Sequence, residues 1–75
     1  MGYSDERRRV RYLRIIAKLA KEPLPYEQAL AWLQVEQGMT RQTARENLRA
    51  LMALGRIVLE GGVLKVPAEV GANVK

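Results

Sequence analysis

The hydrophobic pattern of this chain changes period at one residue, Gly55. Upstream of it, in "MTRQTARENLRALMAL", Ala44, Leu48, Leu51 and Met52 recur at helical spacing, with Leu54 at the edge. Thr40 stands where an N-cap is needed, and Gly55 where a left-handed C-terminal residue is expected. Downstream, "RIVLEGGVLKVP" is two short β-prone runs around Gly61-Gly62, the signal of a tight hairpin, with Pro67 ending the second run. The spacing therefore predicts a helix over about 40–54 followed by a β-hairpin.

Two further helices are predicted before it. Ser4 is the expected cap of the first, with Asp5 and Glu6 facing its positive dipole end, and it runs to about Lys21. Pro23 and Pro25 forbid its continuation. At 100° per residue, Arg7, Arg11, Arg14, Lys18 and Lys21 fall on one narrow stripe. Nearly everything else from Val10 on is apolar, an arc wider than a helix packed on one side requires. Two readings of the arc stay open. Tyr12, Ile15, Ile16 and Leu19 form a homodimer face, or the remaining elements cover the helix from both sides. Pro25 suits the first position of a second helix over about 26–36, with Ala29, Leu30 and Leu33 inward and Leu24, Trp32 and Val35 as flanking contacts. Residues 1–67 are read as one domain and 68–75 as a loosely ordered tail.

Composition narrows the function. With 75 residues and 48% apolar content, the chain supports one thin core and is not disordered throughout. Thirteen Lys and Arg against eight Asp and Glu give a net charge of +5, which turns the partner list toward nucleic acid, acidic proteins or anionic surfaces. Nine of the cations are Arg, whose planar fork suits phosphates and guanine edges. There is no His and no Cys, so disulfides, the usual zinc sites, a His base and a Cys nucleophile are all excluded. With only scattered carboxylates besides, no enzyme, metal, cofactor or small-molecule ligand is expected. No apolar run reaches the about 18 residues of a membrane span, and "MGYSDERRRV" does not read as a signal peptide, so a cytoplasmic protein is expected.

Three helices and a hairpin, with a short turn before the third helix, resemble a winged helix-turn-helix. "MTRQTARENLRALMALGRI" followed by "VLEGGVLKV" carries the resemblance. Within it, "TRQTARENLRAL" is similar to the recognition helix of GntR-type transcription regulators. The fold class this implies is mainly α with a small β-hairpin. The function it implies is sequence-specific binding of duplex DNA by a transcriptional regulator, with helix 3 in the major groove. No effector domain is expected to accompany it.

The residues agree with that reading independently. With Ala44, Leu48, Leu51 and Met52 inward, Gln42, Arg45, Glu46, Arg49 and Ala53 form the outer face of helix 3, with Arg41 and Thr43 at its margins. Arg41, Gln42, Arg45 and Arg49 have the chemistry to reach base edges or phosphates. Thr40 and Thr43 sit at the helix N-terminus, where anions are favoured. Glu46 is a candidate acceptor from a cytosine amino group or a salt-bridge partner of a neighbouring Arg. Arg56 and Lys65 are the cations flanking the hairpin and complete the candidate DNA-binding set. The hairpin tip itself is "EGG", and Glu60 repels phosphate. The preferred reading is therefore a hairpin that caps the core through Ile57, Leu59, Leu64 and Val66 rather than one inserted into the minor groove. The helix 1 stripe is read as a solubilising face, with Arg7, Arg8 and Arg9 as a short basic arm. Trp32 and the three Tyr residues are read as packing, being too dispersed for single-strand stacking. The alternative functions are a winged protein-interaction module in a replication, transcription or RNA-processing assembly, and RNA binding through the same basic surface.

Overall fold

The structure, a computed structural model, describes residues 2–67, with side chains from residue 6 onward. The expected tail over 68–75 lies outside the described residues. The elements follow in the order α1 (Gly2–Lys21), β1 (Leu24–Pro25), α2 (Tyr26–Glu36), α3 (Arg41–Ala53), β2 (Val58–Glu60) and β3 (Val63–Lys65). This is the three-helix arrangement with a hairpin wing. Helix α1 starts at Gly2, so Ser4 lies inside the helix rather than ahead of it as its cap.

Local chemistry closes α3 at both ends. Thr40 has extended backbone geometry, and its hydroxyl accepts from the Thr43 N–H at 3.1 Å, satisfying one of the free donors of the first turn. At the other end the Arg56 N–H donates to the Leu51 carbonyl and the Gly55 N–H to the Met52 carbonyl, at 2.9 and 3.0 Å. That pair is a Schellman motif, and it needs Gly55 at a φ of 75°. The chain leaves the motif pointed so that Ile57 enters the core.

The hairpin turns on Gly61 and Gly62, with φ of 58° and 81°. Two successive positive φ values are what a type I′ turn requires, and its twist matches that of paired strands. The sheet has three strands rather than two, in the order β1-β3-β2, all antiparallel. Strand β1 was not expected. Leu24 stands between two prolines, and a residue before proline is pushed into extended geometry. It pairs with Leu64, and the Tyr26 N–H donates to the Gly62 carbonyl at 3.0 Å.

The core is one cluster drawn from every element but β2: Ile15, Ile16 and Leu19 of α1, Leu24 of β1, Ala29, Leu30 and Leu33 of α2, Ala44, Leu48 and Leu51 of α3, then Ile57 just before β2 and Leu64 of β3. Tyr12, Tyr26, Trp32, Met39, Met52 and Val66 pack at its margins. Three expectations need correction. Val35 is 77% exposed and flanks nothing, because α2 is covered along its Ala29-Leu30-Leu33 side only. Leu59 stands opposite Leu64 but on the outer strand, where the core no longer reaches it, and is 46% exposed. Ile15, Ile16 and Leu19, named for a dimer face, are buried inside the protomer and are not a surface, while Tyr12 is half-buried. What α1 leaves open is Val10, Leu13, Ala17 and Ala20.

Candidate nucleic-acid interface

A four-residue turn, 37–40, joins α2 to α3, and the two helices pack on each other. Arg41, at the start of α3, reaches back to Glu27 in the first turn of α2, with one guanidinium nitrogen 3.1 and 3.3 Å from the two carboxylate oxygens. The pair is exposed and contributes little stability. It does link the leading end of α3 to α2.

Burial of Ala44, Leu48 and Leu51 turns the opposite side of α3 to solvent. Asn47 joins the inward side. Its Nδ2 donates to the Thr43 carbonyl at 2.7 Å, so a polar group at the edge of the core is satisfied. Asn47 was absent from the expected inward set, although positions 44, 47, 48 and 51 follow the i, i+3, i+4, i+7 spacing of one face.

Arg41, Gln42, Arg45, Glu46 and Arg49 line one shallow cleft of about 520 Å³. Five of the nine candidate residues thus share a surface. Their charges are not equally available. Arg41 is paired with Glu27, and Gln42 donates to Glu46 at 3.3 Å. Glu46 is therefore joined to Gln42 and not to a neighbouring Arg. Arg45 and Arg49 are exposed and have no hydrogen-bond or ion-pair partner among the described residues. At i and i+4 they stand one turn apart, about 6 Å along the axis.

Thr40 and Thr43 sit at the leading end. The Thr40 hydroxyl donates to Thr43 Oγ1 at 3.0 Å while accepting from the Thr43 N–H, so Thr40 is engaged in the cap and Thr43 keeps its own proton to donate. Arg56 and Lys65 are not brought to this cleft. Arg56 lies past the C-terminal end of α3 and lines a different groove, with Arg8 and Arg9 of α1. Lys65 forms an ion pair with Glu60 on the neighbouring strand.

The helix 1 stripe is likewise divided. Lys18 pairs with Glu22 at 3.3 Å and lies 5.6 Å from the Trp32 ring centre, and Arg14 donates to Gln37 at 3.3 Å. Among the described residues no group of His, Cys, Asp or Glu is placed to hold a metal ion, and no helix is long and apolar enough to cross a membrane. No family model, curated protein or solved structure matches this chain.

Proposed function

We propose that this chain is a cytoplasmic, non-enzymatic regulator that binds duplex DNA with α3 in the major groove, as its resemblance to the winged helix-turn-helix and GntR-type recognition helices implies. The observation that carries the reading is the pair Arg45 and Arg49: exposed, unpartnered among the described residues, and on one face of a helix whose other face is locked into the core. A helix of 13 residues is about 20 Å long, enough to lie in the groove. Two guanidinium groups one turn apart span roughly two base-pair steps. Each can make a bidentate contact to a guanine edge or bind a phosphate. Gln42 offers an amide to adenine once it exchanges Glu46 for a base. Helix α2, linked to Arg41 through Glu27, braces α3 across the backbone.

Selection of bound sequences from a random duplex pool at a stated salt concentration tests the reading. An enriched motif is the expected result, with a log–log salt slope of roughly −4 to −5 for about four to six neutralised phosphates. The variant R45A/R49A, folded by circular dichroism, should lose the motif. An undiminished affinity in that variant would remove α3 from the interface.

A further inference from the structure

A second surface lies at the junction of α1 with the C-terminal end of α3, outside the cleft just described. It is a groove of about 370 Å³. Its apolar lining includes Tyr12 and Leu13 of α1 and Leu54, the last residue before the Gly55 stop. Leu13 is 55% and Leu54 63% exposed, so two large apolar side chains from different elements meet at one place and stay open to water. Arg8, Arg9 and Arg56 line the same groove. Among the described residues, none of the three has a hydrogen-bond or ion-pair partner and no acidic residue lines the groove.

The geometry points to a docking site for an acidic amphipathic segment of a protein partner, a helix that lays one apolar anchor on Leu13 and Leu54 and sets carboxylates against Arg8, Arg9 and Arg56. Charge complementarity selects this occupant. A second copy of the chain presenting the same face would bring Arg8, Arg9 and Arg56 against their own duplicates, with no carboxylate among the described residues of either groove to offset them. A nucleic-acid strand would satisfy the arginines but leave the leucines exposed. Only a ligand combining apolar surface with negative charge satisfies both, the helix-in-groove mode with an electrostatic rim. The groove shares none of Arg41, Gln42, Arg45, Glu46 or Arg49 with the α3 cleft, so the proposal stands whether or not that cleft binds DNA.

The test uses the full chain and a fluorescein-labelled amphipathic helix of about 18 residues, with Leu and Trp on one face and Glu elsewhere. Its counterpart with every Glu replaced by Lys is the control. Binding is read by anisotropy and mapped by amide chemical shifts. The acidic peptide should bind, weaken as salt rises, and shift amides around Leu13 and Leu54 rather than around Arg45. L13S/L54S removes the anchor without touching the core and should cost at least about tenfold in affinity, as should R8E/R9E, with α3-dependent DNA binding retained in L13S/L54S. Four results would each overturn the proposal: no binding of the acidic peptide, equal binding of the Lys peptide, shifts that map elsewhere, or a chain that self-associates through this face and loses that association in L13S/L54S.

Discussion

Helix α3 and the hairpin are neighbours in sequence, yet they handle charge in opposite ways. Each carries cations and at least one carboxylate. On the hairpin, Glu60 and Lys65 lie diagonally across paired strands, within reach of each other, and they neutralise one another. On α3, Glu46 is engaged by Gln42, so Arg45 and Arg49 remain without partners among the described residues. An excess of positive charge in a composition is therefore a weak guide to an interface. What counts is which cations the fold leaves unpaired and on a common face.

Leu48 of α3 and Leu59 on the hairpin's outer strand differ in what they contribute to stability, and the largest predicted effect separates them there. Leu48 of α3 is fully buried, and Leu48→Ala should cost about 2–5 kcal/mol, a large share of the roughly 5–15 kcal/mol that holds a typical domain together. Leu59→Ala on the outer strand should cost about 1 kcal/mol or less. Urea denaturation of both variants checks the contrast; equal losses would mean that the outer strand is as integral to the core as α3. Next in size are Arg45→Ala and Arg49→Ala. Each should weaken duplex DNA binding by about 1–3 kcal/mol where its contact is bidentate to a base, with the thermal midpoint almost unmoved. A fall in midpoint parallel to the loss of binding would show these residues to be structural.

The regular elements were legible because their signals are local. Thr40, Gly55 and Gly61-Gly62 each act within a few residues, and the structure uses them as caps and turn. Strand β1 leaves no local signal, because two residues carry no periodicity and its partner Leu64 is forty positions away. The apolar arc of α1 was visible, but its division was not. Ile15, Ile16 and Leu19 face the core while Val10, Leu13, Ala17 and Ala20 do not, and only the positions of the other elements decide which side is covered. Charge pairing was the least legible. Arg41 and Glu27 are 14 residues apart and meet only because α2 packs on α3. The outer face of α3 could be listed from its spacing; which of its cations were unpaired could not.

A smaller effect probes how α3 begins. Thr40→Ala removes the hydroxyl that accepts from the Thr43 N–H and should cost about 0.5–2 kcal/mol of stability. It also loosens the first turn, where Arg41 and Gln42 stand, so DNA affinity should fall together with stability. Thermal unfolding and anisotropy on one preparation give both quantities. A stability loss with unchanged affinity would place the DNA contacts wholly in the Arg45–Arg49 half of the helix.

The smallest effect bears most directly on the hairpin. Glu60→Gln removes the hairpin's own carboxylate beside the turn and frees Lys65 from its ion pair. Exposed pairs of this kind contribute roughly 0–1 kcal/mol, so stability should barely change. If the hairpin stands away from the duplex, affinity should also hold, apart from the small long-range gain of one added positive charge, which salt at about 0.15 M screens beyond roughly 8 Å. The expected result is a change of about twofold or less at that salt, and a log–log salt slope no steeper than that of the unaltered chain. A slope steeper by about one unit would mean that the released Lys65 neutralises a phosphate. The hairpin would then be a DNA-facing element held back by its own Glu60, and the contrast with α3 would be one of pairing rather than of position.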